Sequence, residues 1–295
     1  MKTKTAMITI AGRPNVGKST LTNYLVGEKI AIVSNKPQTT RNRICGIVTR
    51  EDTQFVFVDT PGFHNPRTKL GDYMVNVVKD SVADVDLTIL VVEPVANVGA
   101  QEKALIEQLK TRKCPSVLAI NKIDTVEKDV LLEVIAAYSQ ENLFDEIIPI
   151  SAKTGDGIDS LLDICDKYAV ESPFLFPEDI TTDQPERQVM AEIIREKILW
   201  NLDREVPHGT AVEITRFSER DSGIIDIDAT IYCEKASHKG IIIGKHGDML
   251  KKISSMARTD CEKFMGTRVY LTTWVKIKEN WRDSDFLVRN FGYSE

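Results

Sequence analysis

Short apolar runs alternate with longer stretches of helical periodicity from Thr5 to about Val170. The apolar runs predict strands at 6–11, 43–49, 54–58, 87–92, 116–120 and 146–150. The helical pattern predicts helices near 18–26, 70–82, 100–110, 130–138 and 158–168. Such alternation is typical of an α/β domain with a mostly parallel six-stranded sheet and helices on both faces. Only residues 50–53 separate the second and third strands, so that pair is expected to form an antiparallel hairpin.

The second half of the chain has a different order of elements. A polar stretch at 171–186 contains Pro173, Pro177 and Pro185, which disfavour helix and predict a linker. The pattern beyond it predicts a helix at 189–203, strands at 211–217 and 224–233, a helix at 248–264 and a strand at 268–276. We therefore expect one α/β domain over 1–170, a linker over 171–186, and a smaller α+β domain over 187–295.

Length and cysteine usage agree with two domains inside a reducing compartment. A chain of 295 residues has room for about two domains. Its five cysteines include no close pair, which argues against a disulfide framework and against a Cys-x-x-Cys metal site. The longest apolar stretch, 87–92, is far shorter than the ~20 residues of a membrane-spanning helix. We therefore expect a cytoplasmic protein.

Charge is distributed unevenly along the chain. The net charge is −6, yet residues 235–282 carry eleven basic and four acidic side chains, a net +7 that leaves −13 for the remainder. A basic segment in an otherwise acidic chain favours a nucleic-acid partner. Long helices can, however, carry runs of basic residues without binding a nucleic acid.

The segment between the first predicted strand and helix matches the phosphate-loop pattern. Its residues, with the threonine that follows, are Gly12, Arg13, Pro14, Asn15, Val16, Gly17, Lys18, Ser19 and Thr20. Glycines let backbone N–H groups surround phosphates, the Lys18 ammonium balances phosphate charge, and the Ser19 hydroxyl can ligate Mg²⁺. This strand–loop–helix setting predicts a nucleoside triphosphate site rather than a chance match.

A second candidate segment follows the third predicted strand and reads Asp59-Thr60-Pro61-Gly62. Asp59 emerges at the end of the strand, where a carboxylate can hold Mg²⁺ through water, and Gly62 can offer its N–H to a γ-phosphate. Alone, this pattern is weak because Asp, Pro and Gly also fill ordinary turns, but at this offset from the phosphate loop it becomes a strong indication of a nucleotide site.

Two further segments predict recognition of the base. In Asn121-Lys122-Ile123-Asp124, the Asp124 carboxylate can accept two hydrogen bonds from guanine, a pair of donors that adenine lacks. The segment Ser151-Ala152-Lys153 follows the last predicted strand, where a loop could support the base. A simple helix-capping loop explains this triplet equally well.

Together these four segments resemble the motif set of the GTPases. The resemblance implies a threonine between Glu28 and Arg41 that closes on Mg²⁺ and the γ-phosphate. Thr40 is the first choice and Thr39 the second, and a plain polar loop is the alternative. The resemblance to the GTPases also implies catalytic roles for Lys18, Thr40 and Gly62.

Phe63 stands where many GTPases carry a glutamine that orients water. The likeness is thus to the translation-factor-related class, and we expect hydrolysis on the order of 10⁻⁴ to 10⁻³ s⁻¹, as for unassisted Ras. Asn15 matches a position that ligates K⁺ in cation-activated relatives, although a loop-shaping role fits it as well. His64 is more simply a solvated loop histidine than a catalytic base.

The turn Gly244-Lys245-His246-Gly247 precedes the basic helix of the second domain. Its glycines would let a nucleic-acid backbone approach, Lys245 with Lys251 and Lys252 would meet phosphates, and the apolar run 241–243 would floor a groove for bases. This order resembles the bacterial type II KH domain, which implies binding of single-stranded RNA. The alternative is an α/β fold with an ordinary glycine turn. For Trp274, Lys276, Lys278 and Trp281, packing at an edge strand is preferred over RNA contact.

The pairing of the two domains resembles the Era family of bacterial ribosome-assembly GTPases, up to about Phe291. That resemblance implies a role in 30S subunit assembly, binding near the 3′ end of 16S rRNA, and peripheral association with the inner membrane, with no DNA partner. We expect GTP and Mg²⁺ to order 28–41 and 59–70 and so alter how the KH domain is held. A tRNA-modifying GTPase and an RNA scaffold with structural nucleotide are the alternatives.

Overall fold

The computed structural model describes residues 2–36, 39–61, 68–81, 85–112 and 114–293. Contacts divide the chain into two compact units. The first contains the described parts of Met1–Ala31, Thr40–Asn65 and Met74–Asp183, and the second those of Ile32–Thr39, Pro66–Tyr73 and Gln184–Glu295. Two short segments that lie early in the chain therefore belong to the second unit.

The first unit is built around a single sheet. Its strands are β1 (Lys4–Ala11), β2 (Ile44–Arg50), β3 (Thr53–Asp59), β4 (Leu87–Val92), β5 (Ser116–Ile120), β6 (Glu146–Pro149) and β7 (Val170–Glu171). The accompanying helices are α1 (Lys18–Val26), α2 (Lys69–Ser81), α3 (Ala100–Arg112), α4 (Lys128–Ser139) and α5 (Ile158–Asp166). Because strands in such a sheet are covered on both faces, β3, β4 and β5 are buried at every position.

The strand order is β2-β3-β1-β4-β5-β6, and the predicted hairpin of β2 with β3 is confirmed. The expectation of six strands was incomplete, because β7 pairs antiparallel with the start of β1, at Lys4 with Glu171. A two-residue strand has no periodic signal of its own, and pairing with β1 creates it. Strands β1, β3, β4, β5 and β6 run parallel, so the loops that follow them leave from one edge. That edge holds the candidate site.

The second unit contains a three-stranded sheet with helices. Its elements are α6 (Glu186–Asn201), β8 (Ala211–Glu219), β9 (Ile225–Cys233), α7 (Ala236–Ile243), α8 (Asp248–Met265), β10 (Val269–Ile277) and α9 (Asp285–Asn290). The strand order is β10-β9-β8, with β8 antiparallel and β10 parallel to β9. Apolar side chains of α6, α8 and the sheet form one core.

Two helices of this unit, α7 and α9, were not predicted. The apolar run 241–243 forms the end of α7, where Ile242 is the only fully buried residue of the helix and Ile241 is half exposed. A short helix with one buried position has no amphipathic repeat to detect. Trp281 packs in the interior, but from a 3-10 turn that follows β10 and not from an edge strand; it is fully buried and donates its indole N–H to Gly209 O at 2.9 Å. Trp274 instead lies exposed on β10.

Within the described ranges, none of the helices combines the length and apolar character needed to cross a bilayer.

Candidate functional site

The loop between β1 and α1 has a backbone that only glycine fits at two points. Gly12 has φ +153°, and a Cβ there would lie 2.5 Å from Val91 O. Gly17 has φ +102°, and a Cβ there would lie 2.3 Å from the side-chain nitrogen of Asn121. The loop thus wraps closely onto β4 and the segment after β5, and it presents its N–H groups at the start of α1.

Lys18 is buried inside this loop. Its ammonium donates to Gly12 O and Arg13 O, both at 3.0 Å. Burial lowers the pKa of Lys18 to about 8, and the nearby Asp59 carboxylate opposes that shift. These carbonyl groups hold the Lys18 ammonium inside the phosphate loop. In that position the ammonium can balance the charge of a bound phosphate.

A cluster of oxygen atoms lies next to Lys18. The Ser19 hydroxyl donates to Asp59 Oδ2 at 2.8 Å and lies 2.9 Å from the Thr40 hydroxyl. Asp59 Oδ1 is buried, and it has no hydrogen-bond partner in the described part of the chain. Burial raises the pKa of Asp59 to about 6, with Lys18 and the hydroxyls opposing the shift.

The oxygen atoms of Ser19, Thr40 and Asp59 are suitable ligands for Mg²⁺, a hard cation that is bound by oxygen ligands. Ser19 and Thr40 would supply hydroxyl groups, and the Asp59 carboxylate would face the ion. Bound Mg²⁺ would neutralise charge on the β- and γ-phosphates of the nucleotide. Thr39, the second choice, instead donates its hydroxyl to Lys36 O at 2.6 Å.

The segment after β5 is tied to the phosphate loop by Asn121. Its amide nitrogen donates to Val16 O at 2.8 Å, and its carbonyl oxygen accepts from Ala152 N at 2.9 Å. Lys122 adopts a left-handed backbone (φ +66°) and donates from its ammonium to Asn15 O at 2.7 Å. The loops after β1, β5 and β6 are therefore one connected unit.

Ser151 contacts the base-recognition segment and does not cap the following helix α5, whose N-cap is Gly157 without a side-chain hydrogen bond. Its hydroxyl donates to Asp124 Oδ1 at 2.7 Å and accepts from Thr154 N at 3.2 Å. The serine therefore orients the carboxylate expected to read guanine while it also closes its own loop. Lys153, the last residue of the triplet, is exposed.

The other predicted nucleotide residues are distributed as follows. Thr60 donates its hydroxyl to Ile10 O at 3.1 Å, and Pro61 beside it is buried. Ile123 begins a single 3-10 turn, and Thr20 lies in α1. Gly62, Phe63 and His64 lie outside the described residues.

Glu93, which follows β4, was missed by the sequence reasoning. One of its carboxylate oxygens accepts from Arg13 Nη2 and the other from Lys122 Nζ, each at 2.5 Å. The available signal was an acidic residue directly after a buried parallel strand, at the edge where the other motif loops begin.

The charged side chains of α6 were also missed. Arg195, Glu196 and Lys197 are consecutive and each at most 1% exposed. Glu196 accepts from Val33 N at 2.8 Å, and Arg195 donates to Thr39 O. Trp200 donates its indole N–H to Val33 O at 2.8 Å. Three consecutive helical residues span about 200°, so one at least had to face the apolar side.

The predicted RNA-binding turn lies in the second unit, at the start of α8. Gly244 has φ +75°, and a Cβ there would lie 2.7 Å from Met249 Cβ. Gly247 also has positive φ, and nothing lies near the place of its absent Cβ. The basic side chains nearby, Lys245, His246, Lys251 and Lys252, are all exposed. Their cations and the first N–H groups of α8 are available to phosphates.

Two family models match the chain. Residues 7–122 match a family described as "50S ribosome-binding GTPase", and residues 205–282 match the KH domain. The two matches lie in the first and second predicted domains, respectively.

Comparison with whole proteins extends the match to nearly every residue. GTPase Era of Ruminiclostridium cellulolyticum is 53% identical over 293 residues, which cover 99% of this chain and 98% of that protein. A crystal structure of Era with MgGDPNP and nucleotides 1506–1542 of 16S ribosomal RNA is similar at a TM-score of 0.94 and 36% identity, covering 99% and 100% of the two chains.

A variant of Aquifex aeolicus Era bound to GDP·AlF₄⁻ also matches, at a TM-score of 0.94 and 37% identity, with the same coverage. The predicted fold class and GTPase activity are confirmed, and the tRNA-modifying and scaffold alternatives are set aside. The chain is a member of the Era family of GTPases.

Proposed function

We propose that this GTPase binds unpaired 16S rRNA near its 3′ end through the second unit and assists assembly of the 30S subunit. The observation that carries the proposal is the exposed turn 244–247 at the start of α8. The similar Era crystal structure, which contains a 16S rRNA fragment and a GTP analogue, supports it.

The chemistry of the turn suits a single-stranded backbone. Gly244 lacks a Cβ where one would strike Met249, so the turn packs directly onto the start of α8. Nothing lies beside the absent Cβ of Gly247, which leaves room there for a ligand backbone. Lys245, Lys251 and Lys252 place charge beside that approach, in a segment with a net charge of +7. Phosphate contacts of this kind supply affinity, and splayed bases supply specificity.

The test is titration of a labelled RNA with the sequence of the 16S 3′ end. If about six phosphates are contacted, log affinity falls with log salt concentration at a slope near −4. Gly244→Ala is expected to weaken binding about tenfold, because the new methyl group strikes Met249. Gly240→Ala is the matched control, since its Cβ meets nothing within 4 Å. Salt-independent binding, or equal effects of both variants, would contradict the proposal.

The nucleotide roles rest on the geometry of the first unit, except those of Gly62 and Phe63, which lie outside the described residues and rest on the family resemblance alone. We assign phosphate and base binding to 12–20, 59–63, 121–124 and 151–153, and catalytic roles to Lys18, Thr40 and Gly62. Ser19, Thr40 and, through water, Asp59 are assigned to Mg²⁺. The domain boundaries that we propose are 1–170 and 187–295, joined by a linker at 171–186.

We further propose that nucleotide state and RNA affinity are linked. The described residues of 32–36 and 39 belong to the second unit, where Glu196, Arg195 and Trp200 hold them. The next residue, Thr40, has its hydroxyl beside Ser19. A ligand that draws Thr40 toward the phosphates therefore acts on a segment held by α6.

RNA affinity measured with GDP and with a non-hydrolysable GTP analogue tests this linkage. We expect the analogue to change RNA affinity at least fivefold, and RNA must change analogue affinity by the same factor. Identical affinities in both nucleotide states would leave two independent domains.

Asn15 is proposed as a K⁺ ligand that compensates for the missing glutamine at position 63. Its backbone is left-handed (φ +67°), and Lys122 holds its carbonyl. Hydrolysis should then be faster in K⁺ than in Na⁺ buffer, and Asn15→Ala should abolish the difference. Equal hydrolysis rates of the unmodified protein in K⁺ and Na⁺ buffers would contradict the proposed K⁺ site.

A cytoplasmic location with peripheral membrane association is proposed on the family resemblance alone. Flotation with vesicles of bacterial inner-membrane lipid tests it. Protein that stays with the dense fraction in low salt would contradict the association.

A further inference from the structure

Glu93 joins the two loops that approach opposite ends of the nucleotide. Its Oε2 lies 2.5 Å from Arg13 Nη2, in the phosphate loop. Its Oε1 lies 2.5 Å from Lys122 Nζ, in the segment that precedes Asp124. Each oxygen therefore has one cationic partner, and the two partners come from different loops.

The Lys122 ammonium makes a second contact, to Asn15 O at 2.7 Å. Asn15 and Lys122 both have left-handed backbones, with φ of +67° and +66°, a conformation that residues with a Cβ seldom adopt. One ammonium thus connects two strained positions. Glu93 holds that ammonium in place.

The charges explain why a carboxylate is needed there. Arg13 and Lys122 converge on one point, and both side chains are only about one-third exposed, at 34% and 36%. Partial burial weakens solvent screening, so two unneutralised cations would repel each other. Glu102 also lies near Arg13, with its Oε1 2.9 Å from Arg13 Nε, but it belongs to α3 and, among the described residues, forms no ion pair with Lys122.

We propose that Glu93 is a positioning residue for guanine-nucleotide binding, which sets the spacing between the phosphate loop and the base-recognition loop. The inference rests on the nucleotide roles proposed above. GTP and GDP share the base and the β-phosphate, so Glu93 acts on both equally. Among the described residues Glu93 contacts neither Lys18 nor Thr40, to which catalytic roles are assigned above. In Na⁺ buffer, where K⁺ on Asn15 does not contribute, its loss therefore changes KM and leaves kcat unchanged.

The test compares Glu93→Gln with the matched variant Glu102→Gln. Affinities for fluorescent GDP and for a fluorescent non-hydrolysable GTP analogue are measured by titration, and hydrolysis is measured at saturating GTP. Glu93→Gln keeps the size of the side chain but loses the charge, so we expect both affinities to fall about tenfold at an unchanged ratio. The value of kcat should stay within twofold, and Glu102→Gln should change affinity less than threefold.

Glu93→Asp keeps the charge on a shorter stem and should recover part of the affinity. It also provides a folded comparison if thermal unfolding shows that Glu93→Gln is unstable. Unchanged affinities in Glu93→Gln, a loss confined to the GTP analogue, or an equal loss in Glu102→Gln would each overturn the inference. Failure of the unmodified protein to bind either nucleotide would instead overturn the proposed nucleotide site.

Discussion

Lys18 and Asp59 are buried beside one another, and burial shifts their pKa values in opposite directions. The pKa of Lys18 is lowered to about 8 and that of Asp59 is raised to about 6, although each charge favours ionisation of the other. Desolvation of the two buried groups thus has a larger effect on their pKa values than the attraction between their charges. Ligands that bring a phosphate to Lys18 and Mg²⁺ to Asp59 would supply the missing partners.

The fall in nucleotide affinity at alkaline pH should reflect deprotonation of the Lys18 ammonium. Its folded pKa lies below its ordinary value of 10.5, so the free site loses the ammonium as pH rises through about 8. We expect GDP affinity without Mg²⁺ to fall toward tenfold per pH unit above that value, measured by fluorescence titration. Lys18→Arg, which stays charged, should bind weakly but without this fall in affinity. A flat profile from pH 7 to 10 in the unmodified protein would contradict this account.

Stability of the free protein should have a minimum between these two pKa values. Asp59 has a raised folded pKa, so its contribution to stability is present below pH 3.8 and is lost as pH rises through about 6. Lys18 has a lowered folded pKa, so stability recovers as pH rises from about 8 toward 10.5. Comparing denaturant unfolding of the unmodified protein and the double variant Lys18→Met/Asp59→Asn isolates this contribution. An unchanged pH dependence in the double variant would refute it.

Exchange of the Asp124 carboxylate should change which base is accepted. Asp124→Asn replaces one acceptor oxygen with an N–H donor, which opposes the guanine donors and suits the oxygen at C2 of xanthine. GTP affinity should fall by about 10³-fold or more, because buried polar groups lose their partners. Xanthosine triphosphate should recover most of it in a competition assay. Ser151→Ala, which removes the hydroxyl that orients Asp124, should cost about tenfold with no change of preference.

The buried Lys197 should matter greatly for the stability of the second unit. Its ammonium lies 2.7 Å from Glu196 and 2.5 Å from Asp260, and only 2% of the side chain is exposed. Lys197→Met removes the buried cation that lies within 2.7 Å of both carboxylates, so the free energy of unfolding should drop by about 3 kcal/mol. Lys110→Met is the control, since its pairs with Glu107 and Glu141 are partly exposed and screened by solvent, so its loss should leave the unfolding curve nearly unchanged. Urea unfolding of both variants gives the comparison.

The motif loops could be placed from sequence because their information is local. A glycine loop between an apolar strand and a helix, or a carboxylate directly after a strand, has a meaning that depends on a few neighbouring residues. Parallel strands then bring their following loops to one edge, so Lys18, Asp59 and Asp124 were placed together correctly. The overlooked α7 and β7 fail that condition, since eight and two residues are too few to show a period.

Fold class, the order of the domains and the chemistry of the phosphate loop were therefore determined by the amino-acid sequence itself. Which carboxylate joins Arg13 to Lys122, and why α6 buries three consecutive charges, was decided only by tertiary structure. Glu93 lies 80 and 29 positions from its two partners, and Glu196 lies 163 positions from Val33. An ion pair needs only opposite charges at contact distance, and charged residues are so frequent along the chain that spacing alone cannot select the pair.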